Sequence, residues 1–144
     1  MTPRRFDHAV VERKLHLLDE LLRDLEGAGT VTADALRDDR MLRHGVERLL
    51  TQIVQLAVDI NAHTVVGMGH PTPSDYRGSF SEAAAVGALS EALAESLLPS
   101  VGLRNLLVHE YAAIDLNLVA EACARAVTGF RSYVREISTF LRQL

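Results

Sequence analysis

The sequence predicts an all-α protein, an antiparallel bundle of about five helices, and three observations carry that prediction. Apolar residues make up 48% of the chain and aromatics only 5%, with no Trp, a balance that suits Leu- and Ala-rich helices packed on one another better than a sheet. Apolar side chains recur at spacings of three and four, the period of one helix face. Gly and Pro then punctuate the joins, at Gly27 and Gly29, across Gly67 to Pro73, at Gly87 and at Pro99. At 144 residues the chain is expected to form one domain, 1–144, large enough to bury a core without disulfide or metal staples.

The elements follow in order. Val11, Leu15, Leu18, Leu22 and Leu25 form the stripe of a first helix from about Asp7 to Glu26. Thr32 and Asp34 look like the entry to a short helical turn, Ala33 to Asp38. A second long helix starts near Asp39 and holds its period through Met41, Leu42, Val46, Leu49, Leu50, Ile53, Leu56, Ala57 and Ile60, and from His63 to Val66, ending at Gly67, with Gly45 a candidate bend. Ser74 or Asp75 caps the next helix, which turns Tyr76, Phe80 and Ala83 to Val86 inward and stops at Gly87. Ser90 restarts the chain, and Pro99, lacking an N–H donor, kinks or breaks it. A final helix runs from an Asp115 cap to about Leu141, burying Leu118, Val119, Ala122, Val127, Phe130, Val134, Ile137 and Leu141.

Composition narrows the function. The single cysteine, Cys123, has no partner within the chain, so neither a disulfide framework nor a cysteine zinc site forms in a monomer. The opening residues carry no apolar leader core, and no apolar run approaches the ~18 residues that cross a bilayer, so a soluble cytoplasmic protein without membrane contact is expected. A net charge of −4 does not advertise a nucleic-acid binder, and any RNA contact must be local. Apart from Lys14 every basic residue is Arg, the side chain suited to bidentate phosphate contacts.

One stretch sets polar, chemically able groups inside an apolar helical pattern: Gly102-Leu-Arg-Asn-Leu-Leu-Val-His-Glu-Tyr111. On a helix, Asn105 and His109 lie about 40° apart and share a face, whereas Arg104 and His109 are about 140° apart. Leu103, Leu106 and Leu107 are expected to hold the segment to the core. An imidazole can move a proton, an Arg can brace a phosphate and an amide can orient either, a kit for cleaving a phosphodiester without a metal. Spacing alone equally fits, and favours, a helix-end Arg, a capping Asn and a His bonded to a nearby carbonyl. Asp59 and His63, four residues apart, are too few to hold a metal, and no metal or other cofactor is expected. Asp59 and Asn61 either line a cleft opposite the motif or satisfy buried polar groups, with His63 a further cleft-lining candidate. Tyr76 reads as a core anchor, and His70, in the Gly/Pro loop, as exposed.

Arg-Asn-Leu-Leu-Val-His-Glu-Tyr resembles the RNxxxHxY form of the RxxxxH signature of HEPN nucleases, specifically of HepT-like toxins. The Asp59-Ile-Asn-Ala-His63 segment, the Pro-Thr-Pro-Ser-Asp-Tyr76 loop, Gly102-Leu and the following Ala-Ala-Ile-Asp resemble that family in order and spacing. The resemblance implies a homodimeric helical bundle that brings two motifs together and cuts RNA without metal by attack of a ribose 2′-OH on the adjacent phosphate. Arg104 would offset charge on the phosphorane, His109 would serve as acid and base, and Asn105 would orient. It further implies that Tyr111 is adenylylated by an MntA-like nucleotidyltransferase antitoxin, whereas the residue by itself reads as an amphipathic ring closing a helix end. The alternative is a HEPN module that binds a nucleotide or a nucleotidyltransferase and cuts nothing. A purely structural bundle is a third reading, and it predicts indifference to substitution at Arg104 and His109.

Overall fold

The computed structural model describes residues 6–109 and 114–144, which fold into seven helices: α1 (His8–Gly27), α2 (Ala33–Asp38), α3 (Arg40–Gly67), α4 (Tyr76–Ala85), α5 (Glu91–Ser96), α6 (Leu98–His109) and α7 (Leu116–Arg142). Five of them span ten residues or more, while α2 and α5 are six-residue turns, so the bundle of about five helices is the observed one.

Side-chain caps start six of these helices. Asp7 accepts from the Val10 N–H, Thr32 from Ala35, Asp39 from Leu42, Asp75 from Gly78, Ser90 from Leu93 and Asp115 from Asn117. Each bond satisfies a donor that the first turn would otherwise leave open. The stops are equally local. Gly69 (φ 89°) and Gly87 (φ 89°) take the left-handed conformation past α3 and α4, and the next residues, His70 and Ala88, donate back to the carbonyls of Val65 and Ala83. Pro99 falls in the first turn of α6, where no intrahelical donor is required, so the chain breaks at Leu97 and restarts there.

Helix α3 is the centre of the bundle, packed by α1, α2, α4, α6 and α7. It runs antiparallel to α1: Lys14 near the start of α1 meets Asp59 late in α3, and Glu20 and Asp24 share a cavity wall with Arg48 and Thr51. Helix α7 runs antiparallel to α1 on its other side, with Arg131 bonded to Glu26 and its last turns beside Glu12 and Leu15. One core joins these faces, with Leu18, Leu22, Ile53, Ile60, Phe80, Phe130, Tyr133 and Ile137 fully buried. Phe80 and Phe130 pack on the Tyr133 ring at centroid distances of 6.2 and 6.0 Å, in the range where edge-to-face and tilted pairs are favourable.

Five expectations require correction. Helix α3 does contain an 18-residue window apolar enough to cross a membrane by length and composition, but half of that window is buried by the surrounding helices, as befits the central helix of a bundle. Met41, in the first turn of α3, is 78% exposed. Leu106 and Leu118, both placed in the core by periodicity, are 39% and 48% exposed on the adjoining helices α6 and α7. Within Ala83 to Val86, Ala83 is buried and Ala84 and Val86 pack half-buried against the core, but Ala85 faces solvent. Helix α3 passes through Gly45 without interruption.

Candidate functional site

Helix α6 rests on α3, α4, α5 and α7, and the rotation of 100° per residue sorts its side chains. Val101 and Leu107 are buried and anchor it, and Arg104 and Val108 look across to α3, while Asn105, Leu106 and His109 are exposed. Of the three leucines expected to fix the segment, Leu107 does so, Leu103 is half-buried and Leu106 is not covered. The motif is thus split over two faces, Arg104 turned inward and the Asn105/His109 pair outward.

Arg104 is held from several sides. Its guanidinium carbon stands 4.7 Å from the centre of the Tyr76 ring, within the range of cation–π attraction. Nη2 donates to Gln55 Oε1 (3.5 Å) and Nη1 to Asn105 Oδ1 (3.3 Å), so the Arg links the inward and outward faces of the helix. Nε is buried and has no acceptor among the described residues. Arg104 also borders a cavity of about 600 Å³ between α1, α3 and α6, with Arg48, Gln52, Gln55, Glu20 and Asp24 on its walls. Among the described residues Arg104 forms no salt bridge. Its charge is therefore clamped by neutral groups and remains available to an anion.

The other candidates separate. Asn61 is completely buried. Its Oδ1 accepts from the Tyr133 hydroxyl (2.6 Å) and its Nδ2 donates to Ser79 Oγ (3.2 Å), so it satisfies buried polar groups and lines no cleft. Asp59 is half-buried, accepting from Gln55 Nε2 (3.3 Å) and pairing with Lys14 (3.8 Å). His63 and His70 are exposed, and neither has a hydrogen bond to the motif among the described residues. No group of three or more His, Cys, Asp or Glu side chains converges among the described residues. Tyr111 lies outside the described residues. Cys123 is buried, and burial pushes its thiol up to about 11, which keeps it protonated and unreactive near neutrality.

Two residues of the site escaped the sequence reading. Gln55 sits in an apolar run of α3, and its amide is the acceptor on which Tyr76 Oη (2.9 Å) and Arg104 converge. A polar side chain at Gln55 flanked by Val54 and Leu56, four residues before Asp59, was the signal available. Tyr76, expected as a core anchor, does pack half-buried against the core, and what the sequence did not show is that its ring also supports the Arg.

Comparison with known proteins agrees with the family resemblance. Residues 8–137 match the family described as Ribonuclease HepT-like. The chain is 33% identical over 132 residues to the tRNA nuclease HepT of Aphanizomenon flos-aquae, covering 92% of this chain and 90% of that protein. Its fold is shared with a tri-AMPylated Shewanella oneidensis HEPN toxin in complex with an MNT antitoxin, at a TM-score of 0.79 and 21% identity over 92% of this chain and 99% of the other. It is shared also with YutE of Bacillus subtilis, a cytosolic protein of unknown function, at a TM-score of 0.83 and 14% identity over 97% and 94% of the two chains. With its Arg-Asn-x-x-x-His run on α6 and a match extending over nearly all its helices, the chain belongs to the HepT-like ribonuclease family.

Proposed function

We propose that this protein is the toxin of a toxin–antitoxin pair, an endoribonuclease of the cytoplasm that cuts RNA without a metal ion. The observation that carries the reading is the arrangement on α6: an Arg clamped by neutral partners and linked through Asn105 to the exposed face that bears His109. A phosphate at the edge between the two faces would meet the Arg104 charge, which no carboxylate neutralises among the described residues, and the His109 imidazole, a group able to give or take a proton. In the proposed reaction His109 takes the proton of a ribose 2′-OH, the oxygen attacks the adjacent phosphorus, and the 5′-oxygen of the next nucleotide leaves with a proton. Arg104 offsets the charge gathered on the phosphorane, and Asn105 orients the guanidinium. The name of the Aphanizomenon relative makes transfer RNA the first substrate to try.

Two features of the reading concern partners. One His109 supplies one acid/base group where cleavage wants a proton taken and another given, so the active form is a homodimer. Support comes from the apolar groove of about 720 Å³ between α6 and α7, where Leu106 and Leu118 stand open to solvent beside the motif. The second partner is an MntA-like nucleotidyltransferase that transfers AMP to Tyr111. The AMPylated state of the Shewanella toxin and its MNT partner support this. A nucleotide attached two residues from His109 would place negative charge and bulk where substrate phosphate must sit.

The test is cleavage of transfer RNA in EDTA by the wild type and by His109→Ala and Arg104→Ala. Loss of a general acid/base lowers the rate by about 10²–10⁴-fold. Wild-type rates in both variants would defeat the assignment, and wild-type activity lost in EDTA but restored by Mg²⁺ would defeat the metal-free mechanism.

A further inference from the structure

Behind Arg104 lies a network of hydrogen bonds and one ion pair that connects five helices. Gln55 Nε2 donates to Asp59 Oδ1 (3.3 Å), and Asp59 Oδ2 pairs with Lys14 of α1 (3.8 Å). A carboxylate only accepts, so Asp59 fixes which end of the Gln55 amide faces it and turns Oε1 toward α4 and α6. That oxygen receives the Tyr76 hydroxyl at 2.9 Å and Arg104 Nη2 at 3.5 Å, while the Tyr76 ring lies against the guanidinium. Tyr76 is the first residue of α4, and its carbonyl accepts from Ser79 Oγ, which in turn accepts from the buried Asn61 amide held by Tyr133 of α7. Both ends of Tyr76 are therefore tied down, its backbone to the core and its hydroxyl to Gln55.

We propose that Gln55 and Tyr76, oriented by Asp59, are positioning residues that set the Arg104 guanidinium for catalysis, an inference that rests on the reading of Arg104 as the group that braces the phosphorane. The chemistry of the clamp suits that purpose. A carboxylate at position 55 would hold Arg104 as firmly but would neutralise it, whereas an amide oxygen and an aromatic face orient the fork and leave its charge for the substrate. An Arg held before substrate arrives needs no reorganisation as charge builds on the phosphate, which is where such a contact contributes to rate rather than to binding.

The experiment combines kinetics with a direct view of the side chain. Steady-state cleavage of one transfer-RNA transcript is measured for Gln55→Leu and Tyr76→Phe, each in the wild type and in the Arg104→Lys background, where no planar fork remains to be set. In the wild type Gln55→Leu is expected to lower kcat by about ten-fold with KM unchanged, the scale of one lost hydrogen bond to a charged group, and Tyr76→Phe, which loses a neutral bond to Gln55 and keeps the ring, by about three- to five-fold. In the Arg104→Lys background the same substitutions are expected to change kcat by less than about two-fold, because residues acting through one another are not additive. The Arg104 Nε–H resonance, followed by NMR, is expected to shift in Gln55→Leu and in the conservative Tyr76→Phe. An unmoved resonance, or equal factors in both backgrounds while Arg104→Ala is inactive, would overturn the positioning role alone. Full activity in Arg104→Ala would instead overturn the reading of Arg104 on which it rests.

Discussion

Removing one oxygen from the core, by Tyr133→Phe, tests whether the Asn61 network is as closed as its geometry states. Tyr133 is fully buried, and its hydroxyl lies 2.6 Å from Asn61 Oδ1 and 3.0 Å from the Ala57 carbonyl. Burial holds the phenol well above its ordinary range, so it stays a donor at every working pH. Phe keeps the ring contacts with Phe80 and Phe130, and the Ala57 carbonyl keeps its place in the α3 ladder. What is lost is the donor to Asn61 Oδ1, which has no other among the described residues. An orphaned buried acceptor costs about 1–3 kcal/mol. For a chain of this size that lowers the melting temperature by about 3–10 °C. The assay is thermal and urea unfolding by circular dichroism at a fixed protein concentration, since the stability of the proposed dimer would depend on it. The sharper arm is Tyr133→Phe/Asn61→Leu, which replaces both partners by apolar groups and leaves Ser79 still donating to the Tyr76 carbonyl. The double variant is expected to recover part of the loss. An unchanged melting temperature in Tyr133→Phe, or a double variant destabilised by the full sum of the singles, would refute the reasoning.

Three further outcomes are expected. Gly45→Ala should stabilise the protein by about 0.5–1 kcal/mol, because the position lies inside α3, a Cβ there meets nothing within 4 Å, and Ala restricts the unfolded chain; a lower urea midpoint would contradict this. Leu118→Glu should leave the monomer folded yet shift light scattering from dimer toward monomer and reduce RNA cleavage with it, because the charge falls in the exposed apolar groove beside α6. Stability should fall as pH rises from about 9 to about 11, since the Cys123 thiol ionises in the unfolded chain before it can in the folded one; Cys123→Ala should flatten that part of the urea-midpoint profile, and an identical slope would assign the loss elsewhere.

Helix starts were legible because each signal is local: Asp7, Thr32, Asp39, Asp75, Ser90 and Asp115 cap the helices they precede, and Gly69 and Gly87 supply the left-handed turns past α3 and α4. The motif was legible for the same reason, since Arg104, Asn105 and His109 lie within two helical turns. Leu106 and Leu118 were misplaced because periodicity reports that a face is apolar and not whether the same chain covers it. Asn61 and Asp59, left open between two roles, separate only through partners distant in sequence: Tyr133 lies 72 residues from Asn61, and Lys14 sits on another helix from Asp59. The Gln55 clamp was out of reach for that reason as well, because its ligands are 21 and 49 residues away and no spacing rule links them.

The divergence of Arg104 and His109 explains why the site needs more than its motif. Five residues of helix separate the two by about 140° and about 7.5 Å along the axis, so neither a shared face nor a shared groove is given by the sequence spacing. The structure turns the Arg toward α3 and ties its Nη1 to Asn105, the residue that shares a helix face with His109. Asn105 thus links the clamped Arg to the exposed face that bears His109. On the proposed reading, a catalytic pair arranged in this way is rigid only where its Arg is rigid. The three contacts on Arg104, from Gln55, Tyr76 and Asn105, come from α3, α4 and α6 and converge on one fork. His109, at the last turn of α6 and open to solvent, has no such support from its own chain among the described residues. On the proposed dimer the second copy supplies that support, and the exposed Leu106 and Leu118 beside it are the surface on which it would seat.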